Sequence, residues 1–306
     1  MKKDFISLND ITTKELFELF DLADTLRSSS ARQPLAGKTV ALIFQKPSLR
    51  TRVSFEVGVH QLGGHPVVLS QEGIGVGTRE KASDIAQLLS RYNNAIVARL
   101  YDHKILVELA QHSTVPVINA LTDLSHPCQI LADVYTLRQH KILRDGIKIA
   151  FIGDGNNVVN SWLEMSKLIP MHFVLAAPIG YEPNTEILKS AQNNGASTVE
   201  IVRSPEDAAR NADVLYTDVW ISMGQENERE KRMKDFAGFQ INGKLLTLAQ
   251  PNAVVMHCLP AHREEEITAD VLEGTRSIVL DEAENRLHIQ KAILAKLIGN
   301  NSGVIL

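Results

Sequence analysis

The sequence has few of the residues that mark secreted or metal-stabilised proteins. Its 306 residues include only two cysteines, Cys128 and Cys258, which lie far apart. A disulfide framework is therefore excluded, and isolated cysteines are typical of a reducing compartment, so we expect a cytoplasmic protein. No Cys/His cluster has the spacing of a zinc site, and we expect no structural metal.

Long apolar runs and strong net charge are also lacking. No stretch approaches the roughly 18 apolar residues that span a membrane, and the first residues have no signal-peptide core. A net charge of −4 gives no reason to expect a nucleic-acid partner. With 44% hydrophobic and 22% charged residues, the chain is typical of a globular enzyme with room for two domains.

The chain does contain a repeated alternation of short apolar strands and helices. Strands are predicted at 39–44, 66–69, 95–98, 116–119, 147–152, 173–177, 198–202, 214–217, 254–257 and 277–280. Helices are predicted at 12–26, 80–89, 103–110, 128–139, 157–168 and 285–298. This order predicts an α/β fold of two doubly wound parallel-sheet domains joined by helices, with the C-terminal helix packing back on the first domain. Ligands of such sheets bind at the carboxyl ends of the strands.

A strand, a tight turn and a helix begin the most informative stretch. The apolar run 39–44 ends before Ser48, a good helix N-cap, and Arg50, Thr51 and Arg52 follow it. Backbone N–H groups, a positive helix end, hydroxyls and guanidinium groups converge there, which favours a phosphate or similar dianion. The alternative is a capped helix with solvated arginines.

Further polar residues follow other predicted strands. Arg50, Arg99 and His126 all come directly after a strand, and this placement makes them candidates for one shared site. His126 and Gln129 lie three positions apart at a helix start, so both can face one point and donate to a carbonyl oxygen. A capping histidine on a structural turn is an equally good interpretation of His126.

A glycine-rich turn at residues 153–158 resembles a dinucleotide-binding loop and suggests a nicotinamide-dependent oxidoreductase. Val158 occupies the place of the required third glycine, and no acidic residue closes the next strand. We therefore expect no nucleotide cofactor. A ligand carboxylate held by Asn157 at this helix N-terminus is the better interpretation.

Two segments of the second half carry further candidates. Asp218 ends a strand before residues 222–243, which we predict to be a mobile, solvated loop with a short helix. The Asp218 carboxylate can hold an ammonium group. The alternative is an aspartate that caps a helix, which is common. Cys258 follows His257, but neighbouring strand residues point to opposite faces, so a Cys–His dyad is geometrically poor.

The order of these motifs resembles the ornithine carbamoyltransferase family. The matching segments are Ser48-Leu49-Arg50-Thr51, Arg99, His126-Pro127-Cys128-Gln129, Asp218-Val219-Trp220-Ile221-Ser222-Met223-Gly224 and His257-Cys258-Leu259-Pro260. The match runs from about residue 40 to Arg286 and is specific, because sister carbamoyltransferases vary in these segments.

The resemblance implies transfer of the carbamoyl group from carbamoyl phosphate to L-ornithine, in arginine metabolism. The residues implied to bind carbamoyl phosphate are Ser48, Leu49, Arg50, Thr51, Arg99, His126, Pro127, Cys128, Gln129, Cys258, Leu259 and Arg286. Those implied to bind ornithine are Asn157, Asp218, Ser222 and Met223. The implied catalytic residues are Arg50, Arg99, His126, Asp218 and Cys258.

The resemblance also implies an arrangement of domains and subunits. Residues 1–137 with 286–306 would bind carbamoyl phosphate, and 146–285 would bind ornithine. The family pattern implies a homotrimer with active sites at subunit interfaces and no metal or organic cofactor. Leu49 replaces a threonine of the pattern, and Gly75 stands near the place of a glutamine that reaches carbamoyl phosphate. A catalytically silent homologue is the remaining alternative, but Arg50, His126 and Asp218 are all present.

Overall fold

The computed structural model describes residues 1, 3–28, 33–70, 75–77, 79–222 and 224–299. The chain divides into two compact units, Met1–Tyr135 with Glu284–Leu306, and Thr136–Ala283. Each unit contains one parallel sheet with helices around it, which confirms the predicted fold class. None of the helices in the described residues is long and apolar enough to cross a membrane.

The first unit is built on a four-stranded parallel sheet. Its strands are β1 (Thr39–Phe44), β2 (His65–Ser70), β3 (Ala95–Arg99) and β4 (Val117–Leu121). The helices are α1 (Thr13–Ser28), α2 (Leu49–Gln61), α3 (Ala82–Tyr92), α4 (His103–His112) and α5 (Pro127–Gln139), the last of which crosses the unit boundary. The strand order is β2-β1-β3-β4.

The strand order of this sheet indicates where a ligand would bind. Successive connections leave β1 in opposite directions along the sheet, so the loops after β1 and β3 border the switch point where ligands of such sheets bind. Phe44 at the end of β1 pairs with Arg99 at the end of β3. The central residues of β1 are all buried, because helices cover both faces of the sheet.

The second unit is built on a five-stranded parallel sheet. Its strands are β5 (Ile147–Ile152), β6 (Met171–Ala176), β7 (Thr198–Val202), β8 (Val214–Thr217) and β9 (Val254–His257). The helices are α6 (Asn157–Met165), α7 (Thr185–Asn194), α8 (Pro205–Ala209), α9 (Arg229–Asp235), α10 (Gly243–Leu248), α11 (Ala269–Leu272) and α12 (Val279–Ile298), whose later turns belong to the first unit. The order β7-β6-β5-β8-β9 places the switch point after β5 and β8.

The C-terminal helix packs on the first unit, as predicted. In α12, Lys296 lies 2.9 Å from Glu18 of α1, and Lys291 donates to Gln61 of α2 over 3.0 Å. Ile289 and Ile293 of the same helix are fully buried. These contacts hold the last helix beside α1 and α2.

The predicted strand at 277–280 is wrong. Ser277 makes only an isolated bridge to Val255, and Val279 already begins α12. The β-branched residues Ile278 and Val279 suggested a strand, but Asp281 and Glu282 follow in the first turn of the helix, where acidic side chains are favourable. The helix packing outweighs the local strand preference.

Candidate active site

The turn after β1 and the first turn of α2 contain the residues that the sequence predicts to bind an anion. The Ser48 hydroxyl caps the helix by accepting the N–H of Thr51 over 3.3 Å. The Leu49 side chain is 75% exposed, so it does not cover the helix end. The guanidinium of Arg50 has no hydrogen-bond or ion-pair partner among the residues that the structure describes. The first turn of α2 therefore combines a positive helix end with an available cation.

Two arginines from distant parts of the chain meet at Thr51. Its buried hydroxyl accepts hydrogen bonds from Arg99 over 3.2 Å and from Arg286 over 2.6 Å. Arg99 ends β3, Arg286 lies in α12, and both are nearly fully buried. Two buried positive charges beside the N-terminus of α2 create a potential that favours an anionic ligand.

His126 lies between β4 and α5 and is 4% exposed. Burial, together with the charges of Arg286, Arg99 and Lys46, lowers the pKa of His126 well below its usual range. The imidazole is therefore neutral at neutral pH. A neutral ring still donates one N–H, so His126 is suited to polarise a carbonyl oxygen rather than to supply a charge.

Lys46 is a site residue that sequence reasoning missed. Its side chain is almost buried, pairs with Asp123, and lies 4.4 Å from the ring centroid of Tyr101. Lys46 lies two positions before the Ser48 cap, in the turn after β1. Its position in that turn was the signal that could have identified it.

The residues at the start of α5 are held by internal contacts. Pro127 is the first residue of the helix, and the Cys128 thiol donates to the carbonyl of Asn119 over 3.3 Å. Burial raises the pKa of Cys128 to about 12, so this thiol is neutral. The Gln129 amide donates to Asp133 over 2.8 Å. Cys128 thus contributes packing rather than chemistry.

Asp218 is the centre of polar contacts in the second unit. One carboxylate oxygen, Oδ2, accepts from the Asn156 amide over 2.8 Å. The other, Oδ1, accepts the N–H of Val219 over 2.8 Å and the S–H of Cys258 over 3.0 Å. These three contacts fix the orientation of the Asp218 carboxylate, and an oriented carboxylate suits a cationic ligand.

Asn156 is a second residue that sequence reasoning missed, because the prediction for this helix start named Asn157. Asn156 caps α6: its side-chain oxygen accepts from Val158 over 2.9 Å and from Val159 over 3.3 Å. Its amide nitrogen remains to hold Asp218. Asn157 is half-buried and forms the first helical position. The preference of asparagine for N-caps could have identified Asn156.

His257 supports the turn that follows β9. Its Nδ1 accepts the N–H of Leu259 over 2.9 Å, so its Nε2 carries the proton and donates to Glu266 over 3.1 Å. Both ring nitrogens are therefore engaged away from Cys258, in agreement with the poor dyad geometry predicted from the sequence. Possible metal-ligand atoms of three residues lie within 4.8 Å of one another: those of Asp218, His257 and Cys258. The two hydrogen bonds of the His257 ring nevertheless leave this imidazole unsuited to ligate a metal.

The predicted solvated loop at 222–243 is more structured than expected. It contains a 3₁₀ turn and α9, and Arg232 of α9 is buried. Arg232 donates to Asp154 over 2.8 Å, to Glu228 over 2.8 Å and to the Trp220 carbonyl over 3.0 Å. Burial raises the pKa of Asp154, while Arg232 acts in the opposite direction. The loop is thereby tied to the turn after β5, and nothing in its charged sequence had indicated a buried arginine.

The remaining predicted ornithine residues lie in the same loop. Ser222 is half-buried, and its N–H donates to the Gln225 side chain over 3.1 Å. Met223 lies outside the described residues.

The fold and these contacts define a parallel α/β protein with two buried arginines at the start of α2 in one unit and a cluster of polar contacts around a carboxylate in the other. Comparison with known proteins agrees with this class. The family model described as the carbamoyl-P binding domain of aspartate/ornithine carbamoyltransferase matches residues 3–139, and the model of its Asp/Orn binding domain matches residues 145–297. The chain belongs to the aspartate/ornithine carbamoyltransferase family.

Individual relatives are similar over nearly the whole chain. The ornithine carbamoyltransferase of Chlorobaculum tepidum is 55% identical over 98% of this chain and 91% of its own length. The one from Syntrophus aciditrophicus is 49% identical over 97% of this chain and 100% of its own length. Among solved structures, the Pyrococcus furiosus ornithine carbamoyltransferase has a TM-score of 0.93 and 46% identity, covering 99% of this chain and 98% of that one.

Proposed function

We propose that this protein transfers the carbamoyl group of carbamoyl phosphate to the δ-amine of L-ornithine, giving L-citrulline and phosphate. The observation that carries the proposal is the match of both family models, which together cover nearly the whole chain. Relatives named ornithine carbamoyltransferase favour ornithine over aspartate as the acceptor. Residues 1–137 with 286–306 form the carbamoyl phosphate domain, and 146–285 form the ornithine domain.

The first unit supplies the carbamoyl phosphate contacts. Arg50 and the first turn of α2 bind the phosphate, since a helix N-terminus and a planar guanidinium both suit a phosphoryl group. The residues assigned to this substrate are Ser48, Leu49, Arg50, Thr51, Arg99, His126, Pro127, Cys128, Gln129 and Arg286. Their support is the convergence of Arg99 and Arg286 on Thr51.

The second unit supplies the ornithine contacts. Asp218 receives the α-ammonium group, and Asn157 receives the α-carboxylate at the N-terminus of α6. Ser222 and Met223 supply further polar groups of the loop. Cys258 and Leu259 lie beside the carbamoyl group, where Cys258 positions Asp218 through its hydrogen bond.

The chemistry is acyl transfer from a mixed anhydride. The neutral δ-amine attacks the carbamoyl carbon and forms a C–N bond, and Arg99, His126 and Thr51 stabilise the developing oxyanion. The C–O bond to phosphate then breaks, phosphate leaves with the bonding electrons, and it takes the proton released by the amine. No covalent enzyme intermediate or cofactor is required, because the donor is already activated. Much of the rate acceleration comes from binding the two substrates close together in the orientation that the reaction requires.

We further propose a cytoplasmic homotrimer that serves arginine biosynthesis. An apolar stripe on α2 supports assembly: Leu49, Val53 and Val57 are 75%, 46% and 37% exposed. Spacing of four residues places these side chains on one face of the helix, next to the anion site. A second copy of the chain that covers this face would remove the stripe from water.

The direct test is citrulline formation by the purified protein with both substrates. The proposal predicts citrulline and phosphate in equal amounts above the spontaneous breakdown of carbamoyl phosphate, and no citrulline or protein-dependent phosphate release when ornithine is omitted. Phosphate release at the same rate without ornithine, or no citrulline with both substrates, would overturn the proposal. The second outcome would favour the silent-homologue alternative.

A further inference from the structure

A group of three side chains after β9 is outside the proposed reaction. His262 Nδ1 lies 4.0 Å from Oε2 of Glu265 and 3.9 Å from Oε2 of Glu266. The three donor atoms are all within 4.8 Å of one another. We propose that His262, Glu265 and Glu266 form a binding site for a divalent transition-metal ion, with Zn²⁺ as the probe.

The donor chemistry is that of known metal sites. One imidazole and two carboxylates provide three ligands, and imidazole with carboxylate oxygen suits Zn²⁺ and related ions. Zn–N and Zn–O bonds are roughly 2.0–2.2 Å, so the two separations between His262 Nδ1 and the carboxylate oxygens need to shorten by about half an ångström. The His262 side chain is 44% exposed and can make this movement while leaving room for a water ligand.

The buried oxygens distinguish this group from an ordinary surface cluster. Glu266 is fully buried, yet its Oε2 accepts no hydrogen bond from any described residue. The Oε2 atom of Glu265 is likewise buried without a hydrogen bond from the described part of the chain. Leaving a buried carboxylate oxygen without a donor is costly, and both oxygens face His262. A cation among them would satisfy both.

Supporting contacts are already present behind the ligands. The other oxygen of Glu265 pairs with Arg229, and the other oxygen of Glu266 accepts from His257 over 3.1 Å. Ligating carboxylates are commonly oriented by such second contacts. The backbone is held as well, because the Glu265 and Glu266 carbonyls accept from Gln240 and Ile241 over 3.0 and 2.8 Å. The sequence gives little sign of this site, because it contains one histidine and two glutamates rather than a Cys/His cluster of zinc spacing.

The test is Zn²⁺ binding to chelator-treated protein by calorimetry, with metal content measured after dialysis. We expect one ion per chain, and His262→Asn and Glu265→Gln should each weaken binding at least roughly 100-fold, more than loss of an outer contact does. Glu265→Gln keeps the size of the side chain and leaves the buried Glu266 intact, so a loss of binding there is not a loss of fold.

Two controls separate this site from other metal-binding groups. His172→Asn removes a histidine that faces the single carboxylate of Glu200 over 2.8 Å, and it should leave Zn²⁺ binding unchanged. Cys258→Ser should also leave it unchanged, and Co²⁺-loaded protein should show no thiolate-to-metal charge-transfer band. Absence of tight Zn²⁺ binding, binding that survives His262→Asn, or binding lost with Cys258→Ser would each overturn the proposal.

Discussion

Cys258 donates its S–H to Asp218 over 3.0 Å, and the accepting oxygen also receives the N–H of Val219. The thiol hydrogen is thus directed at the Asp218 carboxylate. The neighbouring His257 cannot act as its base, because both ring nitrogens are engaged elsewhere. Since the thiolate is the nucleophilic form of cysteine, these contacts assign Cys258 a positioning role.

Replacement of Cys258 tests this role. Cys258→Ser keeps a donor to Asp218 and should retain kcat/KM within about tenfold, the equivalent of one ordinary hydrogen bond. Cys258→Ala removes the donor and should lose more, mainly in the KM for ornithine. Steady-state kinetics of both variants provides the comparison. Mass spectrometry of quenched wild-type protein should find no carbamoyl adduct, and an adduct on Cys258 would refute the positioning role.

Loss of Arg99 should affect turnover rather than folding. Arg99→Ala removes one donor to the developing oxyanion, and such changes typically lower kcat by about 10²–10³. Arg52→Ala is the matched control, since Arg52 lies one position after Thr51 and pairs with Glu56 at the surface. The control should behave as wild type. Equal kcat values for Arg99→Ala and wild-type protein would contradict the assignment of Arg99.

His126 should remain neutral when ordinary histidines gain a proton. Burial and the charges of Arg286, Arg99 and Lys46 lower its pKa in the folded protein, whereas the unfolded chain binds a proton near pH 6.5. Below about pH 6.5 the unfolded state therefore binds more protons, and the contribution of His126 makes the folded state less stable as pH falls. Nitrogen NMR of labelled histidine should show a neutral ring at about pH 6. A charged ring there would contradict the proposed neutral donor.

Arg232 should support ornithine binding without touching carbamoyl phosphate. Arg232→Met breaks the contacts to Asp154, Glu228 and the Trp220 carbonyl, and removing one partner of a buried ion pair costs about 3–5 kcal/mol. We expect the KM for ornithine to rise at least tenfold in Arg232→Met, which corresponds to roughly 1.4 kcal/mol of this cost. Arg232→Lys should recover part of the loss. Lys231→Met, on the same helix and 72% exposed, is the control. An unchanged ornithine KM in Arg232→Met would refute the role.

Much of the fold was predictable because both sheets are parallel and buried. Strand β1 is apolar from Val40 to Phe44 and β5 from Ile149 to Ile152, and the strand–helix alternation identifies both without tertiary information. The Ser48 cap was also predictable, because helix capping depends on residues that are neighbours in the sequence. The start of α12 was not, because its β-branched residues favour a strand until the packing of the whole helix is known.

The contacts of the candidate site were predictable only between residues of one motif. Ser48, Arg50 and Thr51 are neighbours in the sequence, whereas the contact of Arg286 with Thr51 joins residues 235 positions apart. Arg232 gave no sequence signal, because a buried arginine in a charged helix looks like a solvated one. Partners of this kind are set by tertiary packing, which a single sequence does not reveal.

The most direct measurement is the pH dependence of kcat/KM with a panel of amines. Ornithine should be used well, and putrescine and aspartate poorly, because one lacks the α-carboxylate and the other the distal amine. Only the neutral δ-amine attacks, and its pKa resembles that of lysine, about 10.4. The value for ornithine should therefore rise by nearly one decade per pH unit between about pH 7 and 9. A flat profile, or equal use of putrescine, would contradict attack by the δ-amine and the roles of Asp218 and Asn157.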